Sequence, residues 1–338
     1  MDNKKVELLS PAGNLEKLKI AIKYGADAVY AGVSHFSLRI RAGKEFTFET
    51  FKEGIDYAHA HGKKVYATIN GFPFNSQIEL LKKHIATMAS LEPDGFIVAA
   101  PGVVKLCREI APQIDIHLST QANVLNYLDA QVFWDMGVKR IVVAREISLK
   151  DVMEIKKHLP DMEIEIFVHG SMCFAYSGRC LISAVQMGRV PNRGSCANDC
   201  RFEYTLYAGN DEHGSLFRLE EEPGVGTYIF NSKDMNLASH IQEILDSGAV
   251  DSLKIEGRTK SPYYAAVTAK AYREAIDDYY AGKFEPEKYQ KELHTTKNRG
   301  FTDAYLIHKP FEKTDSQNHD YALSKGSYEV TGLVTEDE

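Results

Sequence analysis

Short apolar runs alternate with amphipathic stretches along most of the chain. The amphipathic stretches repeat their apolar residues at the spacing of a helix, whereas the apolar runs have the length of buried strands. The apolar runs are Val6–Leu9, Ala28–Ala31, Lys64–Ile69, Gly95–Ala99, Asp115–Leu118, Arg140–Ala144, Glu163–Val168 and Ser252–Glu256. The helical stretches are Asn14–Tyr24, Phe51–His59, Ser76–Leu91, Val103–Ile110, Tyr127–Met136, Leu149–Leu159 and Pro262–Tyr280. This alternation predicts βαβ units and a parallel sheet.

A weak internal repeat supports that prediction. The segments YGADAVYAG (24–32), MGVKRIVVA (136–144) and SGAVDSLKIEG (247–257) each place a glycine just after a helix, where a left-handed residue is favoured, and then a strand. With eight predicted strands, we expect an α/β fold of the (β/α)₈ TIM-like barrel type. A doubly wound open sheet is the alternative, because counting strands does not prove that the sheet closes.

Two regions interrupt the alternation. Residues 170–226 hold a cysteine cluster, several Gly and Asn residues and the acidic run Glu220–Glu222, which indicates an insertion after the seventh strand with a hairpin around Phe202–Ala208. The polar tail ends in SYEVTGLV (327–334), which resembles the start of another strand. We therefore expect a barrel over residues 1–284 and an extension over 285–338 that leads into a β domain absent from this chain.

Composition and charge exclude several classes of protein. The chain has 338 residues, of which 44% are hydrophobic and 26% charged, so disorder, collagen-like repeats and small disulfide scaffolds are excluded. A net charge of −7 argues against a surface coated with positive charge for nucleic acids, but it leaves room for a local basic site. Because neither a signal peptide nor a run of about 18 apolar residues occurs, we expect a cytoplasmic protein with no membrane partner.

Four of the five cysteines form the sharpest chemical signal. Cys173, Cys180, Cys196 and Cys200 have the spacing C-x₆-C-x₁₅-C-x₃-C, whereas Cys107 stands apart. In a reducing compartment such a cluster indicates metal binding or catalysis rather than disulfide bonds. Structural zinc sites usually show two short Cys-Cys knuckles, and the wider first pair suits a [4Fe–4S] cluster at least as well as zinc. Four unligated thiols are the remaining option.

Polar residues follow many of the predicted strands. In a barrel, catalytic groups lie at the carboxyl ends of the strands. Lys254 is two residues before Glu256, so both side chains face the same side of the strand, where they are either functional or a structural pair. His169 is a general base, a ligand or an ordinary loop histidine. The candidate catalytic residues are Glu146, His169, Lys254, Glu256 and Arg258, and the candidate substrate-binding residues at strand ends are Ser10, Asn70, Gln121 and Arg145.

Basic and aromatic residues are interleaved around the cysteines. Arg179, Arg193 and Arg201 are suited to phosphate groups, and Tyr176 is suited to stacking on an unpaired base. An ordinary solvated loop with packed aromatics is the alternative. The chain has no His-Glu-x-x-His helix, no nucleophile elbow and no P-loop, so the common hydrolase and nucleotide-binding motifs are missing.

The segment EIFVHGSMCFAYSGRCLIS resembles the signature of peptidase family U-32, a family of collagenase-like proteins. Other blocks of the chain are similar to the same family. The signature covers 165–183, and the further blocks are LLSPAGN (8–14), GADAVYAG (25–32), STQAN (119–123) and LKIEGRTKSPYY (253–264). The resemblance thus extends to about residue 281.

Membership of this family would imply one of several activities. Some members carry peptidase or collagenase labels, whereas others resemble proteins that hydroxylate a tRNA wobble uridine in a prephenate-dependent way, a ribosomal RNA cytidine, or ubiquinone with the help of a [4Fe–4S] cluster. Cys173, Cys180 and Cys196 match ligands of that last branch, whose fourth ligand lies much further along the chain than Cys200. The block RVPNRGSCANDCRFEY (189–204) is most similar to the tRNA branch.

Three hypotheses follow from the residues and the resemblance together. In the first, an iron–sulfur enzyme hydroxylates a tRNA wobble uridine. Arg179, Arg193 and Arg201 bind phosphate groups of the tRNA, and Glu256 and Arg258 orient a carboxylate co-substrate such as prephenate. In the second, a metal-dependent collagenase-like peptidase cleaves a peptide or collagen with Glu256 or His169 activating water. In the third, a non-catalytic zinc-stabilised module binds RNA or protein.

Overall fold

A computed structural model describes the chain over residues 5–33, 36–37, 46–193, 195–210, 214–219, 230–309 and 313–318, together with residues 321, 323, 324, 326 and 328. Within residues 193, 210, 215, 217, 313 and 314 only the backbone is described. The expected strand at 327–334 lies outside the described residues except for Tyr328.

Eight parallel strands form a closed barrel. The strands are β1 (Glu7–Pro11), β2 (Ala28–Ala31), β3 (Lys64–Ile69), β4 (Gly95–Val98), β5 (Asp115–Leu118), β6 (Arg140–Val142), β7 (Glu163–Ser171) and β11 (Ser252–Ile255). Neighbouring strands pair in sequence order, and β11 pairs in parallel with both β7 and β1. Because the sheet closes, the TIM-like barrel is confirmed and the doubly wound open sheet is wrong.

Helices lie between the barrel strands. They are α1 (Leu15–Lys23), α2 (Phe48–Ala60), α3 (Ile78–Ser90), α4 (Pro101–Ile110), α5 (Tyr127–Asp135), α6 (Leu149–His158), α8 (Ile241–Asp246) and α9 (Pro262–Tyr280). Local sequence signals begin and end them. Asn14 accepts a hydrogen bond from Lys17 N at the start of α1, and Gly25 after its end has a φ of 100°. The main core lies between the helices and the outer face of the strands.

The insertion after β7 contains short elements. These are α7 (Ile182–Met187) and a hairpin of β8 (Tyr207–Asn210) and β9 (Ser215–Arg218). The hairpin is therefore real but begins later than the predicted Phe202–Ala208. Alternation of apolar and polar residues starts at Phe202, whereas antiparallel pairing starts at Tyr207, opposite Arg218.

The remaining elements pack around the barrel. Strand β10 (Asp234–Asn236) runs antiparallel to the end of β7, and β12 (Phe301–Thr302) pairs in parallel with β10. Helix α10 (Pro286–Leu293) contacts α9, and two more short helices are α11 (Ala304–Ile307) and α12 (Lys313–Ser316). The boundary between barrel and extension stays a prediction. No helix in the described ranges is long and apolar enough to cross a membrane.

Candidate functional site

A cavity opens at the carboxyl-end face of the barrel, between the strand ends and the insertion. Its walls combine the two parts of the molecule: Asn70, Gln121, Arg145, Lys254, Glu256 and Arg258 come from the barrel, and Cys173, Cys180, Cys196, Cys200 and Arg201 come from the insertion. Catalytic sites of TIM barrels lie at this face. The cavity is therefore the candidate site, and it brings together most of the residues predicted from the sequence.

Arg145 and Glu256 meet on the barrel side of the cavity. Arg145 Nη2 lies 3.7 Å from Glu256 Oε2, and the guanidinium group is centred 3.8 Å from the centroid of the Phe167 ring. The Tyr30 hydroxyl donates to the Ile255 carbonyl at 3.0 Å, and it lies 3.5 Å from Glu256 Oε2. Burial, and next the negative charge of Glu256, raise the pKa of Tyr30 well above its ordinary value. Tyr30 is therefore a neutral donor.

Arg258 is held against the cavity wall by hydroxyl groups. Its Nη1 donates to Ser37 Oγ at 2.8 Å and to Thr68 Oγ1 at 3.2 Å, and the two hydroxyls lie 2.7 Å apart. A Cβ atom at Gly32 would lie 2.4 Å from Thr68 Oγ1, so a glycine is needed there. These two hydroxyl groups help to fix the orientation of the guanidinium group.

Lys254 lies on the floor of the cavity and belongs to a buried ionic network. Its Nζ donates to Glu165 at 2.6 Å and lies 4.4 Å from the centroid of the Tyr30 ring. Glu165 also accepts from Arg140 at 3.2 Å, and Arg140 binds Glu7 and Glu163 near the other end of the barrel. Lys254 thus pairs with Glu165 rather than with Glu256. The network fixes the ammonium group where it lines the cavity.

The four insertion cysteines line the same cavity and are free thiols. Burial raises the pKa of Cys180, and the charges of Cys173 and Cys196 raise it further. Burial also raises the pKa of Cys200, while the nearby Arg201 opposes that shift. Within the described part of the chain, no group of three or more His, Cys, Asp or Glu side chains is arranged to hold one metal ion. The four thiols therefore lie around the cavity and do not converge on the position of one metal ion.

Glu146 positions the turn between the first two cysteines. Its carboxylate accepts hydrogen bonds from Ser177 N at 2.8 Å and from Ser177 Oγ at 2.5 Å, and Ser177 Oγ accepts from Arg145 N at 3.1 Å. Ser177 has a φ of 39°, which is unfavourable for a residue with a side chain. Glu146 does not line the cavity, so it acts through the cysteine turn.

A second clamp joins α7 to the other cysteine pair. Ser183 Oγ donates to Asp199 Oδ2, and Ala197 N donates to Ser183 Oγ at 3.1 Å. Asp199 lies between Cys196 and Cys200 and is buried. The two clamps therefore link the insertion to the barrel and link its two halves to each other.

His169 is separated from the cavity by an irregularity of β7. Phe167 of β7 lies opposite Lys254 of β11, and His169 lies opposite the next residue of β11, Ile255. Strand β7 therefore has one extra residue at this point, which forms a bulge. His169 consequently faces the outer layer, where its ring lies near Tyr272 and Phe301. Burial lowers its pKa to about 3, so it is neutral at physiological pH. Sequence alternation places it beside Phe167, and the bulge overrides that alternation.

The other predicted residues lie apart from the cavity. Ser10 is buried within β1, which extends to Pro11 instead of stopping at Leu9 as predicted. Because Leu9 faces the barrel interior, Ser10 faces the helices. Tyr176 and Arg179 are exposed on the cysteine turn, outside the cavity lining. The side chain of Arg193 lies outside the described residues.

Sequence reasoning missed several residues that shape the site. Tyr30, Thr68 and Phe167 alternate along their strands with residues that face the outer core. This alternation could have shown that their side chains face the barrel interior. Ser177 and Asp199 had no such signal because their partners come from distant segments. Glu165 belongs to the family signature, but the sequence did not indicate its role. In the structure it forms an ion pair with Lys254.

The family model described as "Peptidase family U32" matches residues 13–316. Among curated relatives, "tRNA hydroxylation protein P" of Helicobacter pylori (strain ATCC 700392 / 26695) is 71% identical over 98% of this chain and 79% of its own length. A protein of the same name from Escherichia coli (strain K12) is 41% identical over 95% of this chain and 78% of its own length. These two relatives carry names that refer to tRNA, not to peptide substrates.

A solved structure shares the fold at low sequence identity. It is titled "The Structure of the U32 Peptidase Mk0906", and it aligns with a TM-score of 0.50 and 16% identity over 76% of this chain and 95% of its own. At this identity the likeness concerns the fold alone. It agrees with the closed barrel described above.

Proposed function

Because the chain belongs to peptidase family U32 and has relatives at 41% and 71% identity that are named for tRNA hydroxylation, we propose that it hydroxylates a uridine of tRNA, at the wobble position. The observation that carries this proposal is the cavity in which a cysteine set and a cationic barrel mouth meet. Adding a hydroxyl group to a base carbon is a two-electron oxidation. It therefore needs a source of the oxygen atom and an acceptor for two electrons, and a redox group can pass those electrons on.

A [4Fe–4S] cluster is the redox group in this proposal. The donor set fits because four thiols line one cavity, and cysteine thiolates are the ligands that hold iron–sulfur clusters. Cys173, Cys180, Cys196 and Cys200 would hold it, with zinc as the alternative occupant of the same thiols. When bound, such a cluster transfers single electrons.

The cationic barrel mouth supports a small carboxylate co-substrate such as prephenate. A guanidinium group meets a carboxylate through two parallel hydrogen bonds, and Arg145 and Arg258 both line the cavity. Tyr30 supplies a neutral hydroxyl beside them. Arg145, Arg201, Lys254 and Arg258 line the cavity beside Asp199 and Glu256. Lys254 is paired with Glu165, so the arginines are the side chains that would bind the carboxylate.

Nucleoside analysis tests the proposed function. In cells that lack this gene, mass spectrometry of digested tRNA should show loss of a hydroxylated uridine derivative, and restoring the gene should restore it. If the tRNA nucleosides are the same with and without the gene, the proposal is wrong.

Chemical analysis tests the cluster separately. Protein purified without oxygen should contain iron and sulfide at about four each per chain. About one zinc per chain would contradict the cluster and leave the tRNA reaction to be judged by the nucleosides.

A further inference from the structure

Asp199 presents a carboxylate oxygen that has no donor. The side chain is 1% exposed and lines the cavity. Its Oδ2 accepts from Ser183 Oγ, whereas its Oδ1 is buried and has no hydrogen-bond partner among the described residues. A buried oxygen without a partner is unfavourable, and more so when the group is charged. A ligand that donates a hydrogen bond at this point would remove that cost.

Gln121 offers the opposite hydrogen-bonding character in the same cavity. It is 5% exposed, and its Oε1 accepts from Ser119 Oγ at 3.4 Å, so its amide nitrogen can donate to a ligand. A Cβ atom at Gly178 would lie 3.9 Å from that nitrogen, which places Gln121 beside the cysteine turn. The cavity therefore combines a fixed acceptor with a donor.

An acceptor and a donor are the two kinds of hydrogen-bonding group that the edge of a uracil base requires. Uracil has a donor at N3–H between two carbonyl acceptors, whereas cytosine has an acceptor at N3 beside an amino donor. Enzymes that modify a base commonly read this edge once the base is turned out of its stack. A carboxylate opposite the N3 lone pair of cytosine would gain no hydrogen bond and would be repelled.

We propose that Asp199 Oδ1 accepts the N3–H of a uracil base held in the cavity and so makes the site select uridine over cytidine. This inference rests on the proposed function, because it takes an RNA base to be the substrate. Asp199 is then a specificity-determining residue. A base that leaves this buried acceptor unsatisfied loses about 1–3 kcal/mol, which corresponds to about 5-fold to 150-fold in affinity.

Binding of short RNAs to the full chain, purified without oxygen, tests this inference. The probes are heptanucleotides of adenosine with one central residue, which is uridine, cytidine or N3-methyluridine. N3-methyluridine keeps both carbonyl groups but lacks the N3–H. The wild-type protein should bind the uridine probe at least about fivefold more tightly than the other two.

Two variants locate the effect. Asp199→Ala should bind the three probes with similar affinity, because the acceptor is gone and space for the N3 methyl group is present. Glu203→Ala removes the same charge from an exposed side chain of the same segment and should keep the wild-type preference.

The possible outcomes separate this inference from its premise. Equal binding of the three probes by the wild-type protein would overturn the role of Asp199 while RNA binding itself survived. Failure to bind any of the probes would contradict the inference together with its premise of an RNA base in the cavity. If Asp199→Ala does not fold, Asp199→Asn takes its place: its oxygen can still accept from Ser183 Oγ, its amide nitrogen donates where Oδ1 accepts, and the preference should shift from uridine towards cytidine.

Discussion

Single residues outside the cavity position the groups inside it. Glu146 holds the turn that carries Cys173 and Cys180, and its two hydrogen bonds go to one residue, Ser177. That residue has an unfavourable φ, so the turn depends on the carboxylate to keep its conformation. Glu146, which the sequence offered as a catalytic candidate, therefore lies against the cysteine turn and outside the cavity lining.

Replacing Glu146 should loosen the cysteine turn. We expect Glu146→Ala to retain about tenfold less iron after gel filtration with a chelator, because losing a hydrogen bond to a charged group costs about 1.5–3 kcal/mol. The control is Glu154→Ala, which removes an exposed carboxylate of α6 whose ion pair with Lys157 is also exposed. Equal iron retention in Glu146→Ala and the wild-type protein would contradict this role.

His169 makes the stability of the fold depend on pH. Its pKa is lowered to about 3 in the folded protein because it is buried, whereas an unfolded histidine has a pKa near 6.5. The unfolded chain thus binds the proton first as the pH falls. The stabilisation is present above about pH 6.5 and decreases between there and about pH 3.

Urea unfolding at about pH 7.5 and about pH 4.5 measures this effect. The free energy of unfolding should fall on acidification by about 3 kcal/mol more in the wild-type protein than in His169→Gln. His117, whose pKa is also lowered by burial, is present in both proteins, so the comparison isolates His169. The same pH dependence in both would show that His169 is not held neutral.

At the scale of elements, periodicity predicted the barrel but not its local irregularities. Glycine-marked turns and apolar runs gave the eight strands because each strand is buried on both faces. The bulge in β7 has no such pattern, and it moved His169 away from the cavity. Strand ends correctly suggested residues such as Gln121 and Arg258 for the cavity wall, whereas Asp199 emerged only from contacts between α7 and the second cysteine pair.

The strands β6, β7 and β11 are tied together by buried charges inside the barrel. Glu165 on β7 is 0% exposed and binds Lys254 of β11 and Arg140 of β6. Removing its charge leaves two buried cations without this partner. We expect Glu165→Gln to lower the free energy of unfolding by about 3–5 kcal/mol.

Urea denaturation with a matched surface variant checks that value. Glu53→Gln breaks the exposed ion pair with Lys19, whose atoms lie 2.8 Å apart, and should cost less than about 1 kcal/mol. Similar losses in the two variants would show that the network does not brace the barrel.

At the scale of the whole molecule, the site exists only where two parts of the chain meet. The barrel supplies the cationic side chains at its mouth, and the insertion supplies the thiols that face them. The sequence predicted both sets separately because each has its own local pattern. Their placement around one cavity depends on the clamps through Glu146 and Asp199, which join segments far apart in sequence.

The most direct test of the account is the hydroxylated uridine content of tRNA from cells in which the gene is replaced by a cysteine variant. Cys180→Ala should reduce that content to the level of the deletion strain. Cys107→Ala, which alters a buried thiol of α4 outside the cavity lining, should keep it near the wild-type level. Unchanged hydroxylation in Cys180→Ala cells would contradict the claim that the cysteine-lined cavity carries out the reaction.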